Sequence, residues 1–121
     1  RAIIDGLSDS RRIGVCFDTC HAFAAGYELR TEAGINETLA QLDEQVGLKN
    51  LKVIHLNDTK GERGSGLDRH EHIGMGFIGE DGFRRILHNT TFASLPLVCE
   101  TPDDDRRDDR GNIGKVRELA A

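Results

Sequence analysis

Three short apolar runs punctuate the chain, and each ends at or beside a residue able to bind a metal ion. Ile13-Gly14-Val15-Cys16-Phe17 stops at Asp18, Leu51-Lys52-Val53-Ile54-His55-Leu56 carries His55 near its end, and Leu95-Pro96-Leu97-Val98-Cys99 stops at Glu100. The runs are continuous rather than alternating, the pattern of strands buried on both faces in a parallel sheet. Between the first two, Ile35, Leu39, Leu42 and Val46 recur at helical spacing. Asn36 or Gly34 is a candidate cap for that helix and Gly47 a candidate stop. Between the last two runs, residues 83–88 form a shorter helical stretch opened by Glu80-Asp81. Strand, helix, strand, helix, strand predicts an α/β fold with parallel neighbours joined by crossovers. Ala2-Ile3-Ile4-Asp5-Gly6-Leu7 reads as the tail of an element already under way.

In parallel sheets and barrels, functional groups collect at the carboxyl ends of the strands. Here acids and histidines fall at those ends. Asp18 is followed by His21, and Asp68-Arg69-His70 lies thirteen residues beyond His55. In extended backbone, residues two apart face the same way, so Asp68 and His70 converge while Arg69 turns aside. A carboxylate and an imidazole on one point are a partial ligand set for a borderline divalent ion such as zinc. Asp18 and His21, three apart, face opposite ways on a strand. A turn must separate them if both are to reach one site.

At 121 residues the chain supplies less than half of the roughly 250 residues of a parallel (β/α) barrel. Residues 1–121 are therefore read as a single partial domain, the carboxyl-terminal part of a (β/α)8 TIM barrel, with a small stand-alone α/β domain as the alternative. No apolar stretch approaches the ~20 residues that cross a bilayer, and no signal-peptide pattern opens the chain. The net charge of −5 argues against a polyanionic partner, but acids placed to bind cations understate the local positive potential. Lys60, Arg63 and Arg69 flank a Gly-rich stretch, residues 61–66, read as a mobile basic loop suited to a phosphate-bearing substrate. Asp103-Asp104-Asp105 and Asp108-Asp109, interleaved with Arg106, Arg107 and Arg110, read as a solvated surface loop. Three cysteines fit reduced thiols in an intracellular, cytoplasmic protein. Cys16 and Cys99 are expected as inert core residues, and Cys20 lacks the spacing of a zinc knuckle. Gly74-Met75-Gly76-Phe77-Ile78-Gly79 reads as tight turns and close backbone packing.

Taken in order, four stretches resemble the endonuclease IV family of metal-dependent apurinic/apyrimidinic endonucleases. They are Gly14-Val15-Cys16-Phe17-Asp18-Thr19-Cys20-His21-Ala22-Phe23-Ala24-Ala25-Gly26-Tyr27, His55-Leu56-Asn57-Asp58-Thr59-Lys60, Asp68-Arg69-His70-Glu71-His72-Ile73-Gly74 with Gly76 and Ile78-Gly79, and Pro96-Leu97-Val98-Cys99-Glu100-Thr101-Pro102. The resemblance runs over residues 13–102. It implies a TIM barrel with three zinc ions, acting in base excision repair on double-stranded DNA that contains an abasic site. The implied cut lies 5′ to that site and leaves a 3′-hydroxyl and a 5′-deoxyribose phosphate.

By the same resemblance, His21, Asp68 and His70 hold one zinc, and Asp18, His55 and Glu100 belong to a second. These six ligands are the implied catalytic set, acting through the metals they hold, and manganese tolerates similar ligands. The family's remaining ligands match nothing in this sequence, so a third metal site cannot be completed from it. The chain alone is expected to be inactive, and the whole protein to be a monomer. Arg69 and, less directly, Lys60 are the candidate DNA contacts. His72 and His88 match no family ligand and are expected at the surface or behind the site. Two other readings use the same residues: a metal-dependent sugar isomerase or epimerase on this type of barrel, and a non-catalytic metal-binding fragment.

Overall fold

The computed structural model describes residues 13–121, so the reading of residues 2–7 lies outside the described residues. The three apolar runs form strands β1 (Val15–Asp18), β2 (Leu51–His55) and β5 (Leu97–Val98). They are parallel, in the order β1-β2-β5, with Asp18 opposite His55 and His55 opposite Val98. That register lines up the last residues of neighbouring strands, which sets the chemistry at one end of the sheet.

The crossover from β1 to β2 contains α1 (Thr19–Ala24) and α2 (Glu32–Gln45). Helix α2 starts earlier than its apolar spacing implies. Its cap is Thr31, whose Oγ1 accepts from the Gly34 N–H at 3.0 Å, and not Asn36 or Gly34. A hydroxyl one residue ahead of the first turn captures an unpaired amide that Asn36, already inside the helix, cannot reach. Gly47 does stop the helix, at a φ of +82° that other residues avoid. The crossover from β2 to β5 holds a short antiparallel hairpin, β3 (Asp58–Thr59) with β4 (His70–Glu71), then α3 (Gly79–His88) and α4 (Thr90–Ala93). A last helix, α5 (Asp109–Ala120), covers α3.

The strands are not buried on both faces among the described residues. Phe17 and Ile54 are buried on the helix-covered face, where Phe17 meets Phe92 at 5.7 Å between ring centroids. Cys16 and Val98, on the alternate positions, are exposed. Cys16 is exposed and Cys99 half-buried among the described residues of this chain, which spans part of a barrel. The core is built from Phe17, Phe23, Phe83 and Phe92 with Leu29, Ile54 and Ile86. Its helix-side aliphatic and aromatic surface is what holds the strand ends in place.

The Gly-rich basic stretch is tethered rather than free. The Gly64 and Gly66 amides donate to the carbonyls of Phe23 and Ala24, both at 3.0 Å. Arg63 Nε donates to the Gly26 carbonyl at 2.7 Å, and its guanidinium lies 3.7 Å from Glu28. Glu28 is in turn held by Arg30, at 2.9 Å through both carboxylate oxygens. The expected pairing of Arg63 with a substrate phosphate is thus replaced by an internal ion pair. Hydrogen bonding from Arg30 holds the Glu28 carboxyl down at about 2, against some opposing burial. A depressed carboxyl stabilises the fold above its unfolded value of about 4.3 and loses that contribution as pH falls towards about 2. Glu28→Gln is expected to cost about 1 kcal/mol or less at neutral pH and to flatten the acid limb of stability. Urea unfolding at neutral pH and at points down that limb checks both statements.

Candidate metal centre

Asp18 is the hub of the site, because it ends β1 and caps α1 at once. Its Oδ1 accepts from the His21 N–H at 2.9 Å. The cap is the turn that the three-residue spacing demanded, and it swings His21 onto the same side as the strand end. The other oxygen, Oδ2, lies 3.9 Å from His55 Nδ1 and 3.6 Å from His70 Nε2. His55 Nδ1 is 2.6 Å from Glu100 Oε1, and His21 Nδ1 is 3.1 Å from Asp68 Oδ2. Asp18 therefore stands between two donor groups. One is Asp18, His55 and Glu100; the other is Asp18, Asp68 and His70 with Cys20, each group having its ligand atoms within 4.8 Å of one another.

Three carboxylates and three imidazoles converge here, and among the described residues the ion-pair partners of Asp18, Asp68 and Glu100 are histidines. Neutral imidazole nitrogen and carboxylate oxygen are the donors that divalent ions of the zinc class take. The residues present thus fit a metal centre. The hydrogen bond from His21 holds the Asp68 carboxyl below the usual range, partly opposed by burial and aided by Cys20. Cys20 is buried, and burial pushes its thiol up to about 12. It nevertheless stands among the ligand atoms of the second group, where the sequence assigned no cysteine to metal.

A buried layer behind the hub fixes these groups. Asn57 Nδ2 donates to Asp18 Oδ2 at 3.2 Å, and Asn57 Oδ1 accepts from the Glu100 N–H at 2.8 Å. One side-chain amide therefore ties the Asp18 carboxylate to the backbone of Glu100. Thr19 Oγ1 locks Asn57 from behind, donating to its carbonyl at 2.6 Å and accepting from its N–H at 2.9 Å. Asp58 does the same for the hairpin. Fully buried, it accepts from the amides of Thr59, Gly74, Gly76, Ile78 and Gly79 at 2.8–3.2 Å. Burial pushes the Asp58 carboxyl up, and those amide donors pull it back. A Cβ at Gly76 would strike the Thr59 carbonyl and the Asp58 carboxylate, so the loop needs glycine there. Sequence reading missed Thr19, Asn57 and Asp58; their only signal was their position beside the candidate ligands.

His70 leaves β4 towards the hub, and its Nδ1 lies 2.9 Å from the Glu100 carbonyl oxygen. Asp68 and His70 do converge, as their spacing required. Arg69 is exposed, and its carbonyl accepts from the Lys60 N–H at 3.0 Å, so the exposed Lys60 and Arg69 share one end of the hairpin. His88 is exposed on α3. His72 is fully buried, with both ring nitrogens within 2.9 Å of polar partners. His72 thus lies behind the site rather than at the surface, one of the two places expected for it. The acidic stretch, read as solvated, is tethered: Asp108 caps α5, and Asp104 and Arg106 reach back to His72 and Glu71.

Residues 1–120 match the model of the xylose isomerase-like TIM barrel family. The chain is 62% identical over 118 residues to "Probable endonuclease 4" of Methanoculleus marisnigri, covering 98% of this chain and 42% of that protein. It is 51% identical over 118 residues to the protein of the same name from Nitrosopumilus maritimus, again covering 98% of this chain and 42% of the relative. The crystal structure of endonuclease IV from Thermus thermophilus superimposes with a TM-score of 0.71 at 37% identity, covering 88% of this chain and 37% of that one. The chain thus spans under half the length of the relatives it matches, and its parallel strands are part of a barrel. It belongs to the xylose isomerase-like TIM barrel family, in the endonuclease IV-type group.

Proposed function

We propose that the protein carrying this chain is a zinc-dependent endonuclease that hydrolyses the phosphodiester 5′ to an abasic site in double-stranded DNA, leaving a 3′-hydroxyl and a 5′-deoxyribose phosphate. The observation that carries this reading is the pair of donor groups meeting at Asp18, with His21 outside both but 3.1 Å from Asp68 of the second. His21, Asp68 and His70 would hold one ion, and Asp18, His55 and Glu100 would belong to a second. Bound divalent ions neutralise a phosphate, lower the pKa of water and stabilise a leaving oxygen. The chain's own work is positional. Asn57 keeps Asp18 and Glu100 at a fixed separation, and the Asp18 cap holds His21 on the reacting side. Arg69 and Lys60, exposed at the end of the hairpin, supply cationic donors for DNA backbone phosphates, contacts that position the strand without reading sequence.

The test measures metal stoichiometry and incision of a duplex with one abasic site, on this chain and on a version extended to the length of its relatives. Bound zinc, EDTA-sensitive incision and 3′-hydroxyl ends in the long form are the expected result. Stoichiometric metal with turnover of a free sugar and none of abasic DNA would instead establish an isomerase. Metal without any turnover would leave a non-catalytic metal-binding protein. Among the described residues no helix is long and apolar enough to cross a membrane.

A further inference from the structure

The acidic stretch after Glu100 closes on the strand that carries His70, through a buried histidine. Asn112 on α5 sets the geometry. Its Oδ1 accepts from the Ile73 N–H at 3.0 Å and from Arg107 at 3.2 Å, so its amide nitrogen is the atom facing His72 Nδ1 at 2.9 Å. The same nitrogen lies 3.3 Å from the Asp108 carbonyl, which confirms it as the donor. His72 Nδ1 is then an acceptor, and Nε2 carries the proton that it donates to Asp104 Oδ1 at 2.8 Å. Beside it, Arg106 grips Glu71 through two nitrogens at 2.9 and 3.2 Å. Arg107 donates to the Ile73 carbonyl at 2.7 Å. Three consecutive residues after His70 are thus each fastened to residues 104–112.

Neither partner strand does that work alone. β4 and β3 are two residues each, too short to fix a side chain by ladder hydrogen bonds. The clasped segment also adjoins the donor group that contains Glu100. His70 Nδ1 lies 2.9 Å from the Glu100 carbonyl oxygen, and the clasped loop begins immediately after Glu100.

We propose that His72, Asn112 and Asp104 are positioning residues for the metal centre, a buried clasp that holds His70 and Glu100 in binding geometry. The inference rests on the metal reading of the site above. Partners that hydrogen-bond a metal ligand directly are worth about 10- to 100-fold in metal affinity, and this clasp holds the backbone that carries such a ligand.

The experiment titrates zinc against a competing chelator in folded protein of the relatives' length, for Asp104→Ala, Asp104→Asn, His72→Gln and His70→Ala. Metal-free melting temperatures are recorded alongside. Asp104→Ala is expected to weaken the affected zinc site about 10- to 100-fold while the metal-free protein still folds. Asp104→Asn keeps an acceptor for His72 Nε2 and is expected to restore most of the affinity. Equal loss of melting temperature with unchanged affinity in folded Asp104→Ala would reduce the clasp to a structural brace and overturn the proposal. Should His72→Gln fail to fold, the two Asp104 variants decide the matter. His70→Ala separates the two levels. If it keeps full zinc, the metal reading itself falls; if it loses zinc while Asp104→Ala does not, only the clasp falls.

Discussion

Replacing His70 by alanine is expected to remove a metal ligand and to cut abasic-site incision by more than about 100-fold, above the range that outer-layer changes produce. His70 Nε2 sits 3.6 Å from Asp18 Oδ2, within the group that also contains Asp68. Its removal leaves His21 and Asp68 without the third ligand of that proposed site, so the loss falls on metal binding first. The fold should change little. The side chain is partly exposed and makes one other polar contact, to the Glu100 carbonyl, worth about 1 kcal/mol. Metal content and single-turnover incision of the variant, in a protein of the relatives' length, check the two statements together. Normal metal content with a normal rate would show that His70 is no ligand.

The largest effect on stability is expected at Asp58, a residue that touches no metal. Its carboxylate accepts five backbone amides and is fully buried. Asp58→Ala leaves those donors facing a small void. A buried unpaired donor costs about 1–3 kcal/mol, and a water entering the void would offset part of the total. The expected loss is about 3–5 kcal/mol, a large share of the 5–15 kcal/mol that stabilises an ordinary domain. Asp58→Asn should also be costly, because its amide NH2 would face amide donors. Three of these turn donors lie on Gly74, Gly76 and Gly79, and two of the glycines adopt φ values of +88° and +76°. Freed of the carboxylate, that turn loses the contacts that offset its strain. Urea unfolding of the metal-free variants measures the loss; a change below about 1 kcal/mol would mean the turn holds without the carboxylate.

The sequence made the strands legible because their apolar runs end on chemistry-bearing residues. It also made α3 legible, through its acidic first turn. It did not reveal α1, because the family-like stretch after Asp18 shows no amphipathic period and is buried nearly throughout. A continuous apolar run does not say which face is covered first; the helices of this chain cover Phe17 and leave the Cys16 face open. The basic loop was read as mobile and the acidic stretch as solvated; both are largely exposed yet tethered, Arg63 to Gly26 and Glu28, Asp104 and Arg106 to His72 and Glu71.

By itself the sequence pointed to the α/β class with parallel neighbouring strands, from periodicity and from the residues at strand ends, while the six candidate ligands came from its resemblance to a family. Only the tertiary structure decided which donors share a point. Asp18 joins both groups because strand register sets it opposite His55 while the helix cap turns His21 and the hairpin brings His70 alongside. The roles of Asn57, Asp58 and His72 were likewise decided in three dimensions. Their distant partners lie 16 to 43 residues away in the chain, and a hydrogen bond across such a separation leaves no local pattern for a sequence to display.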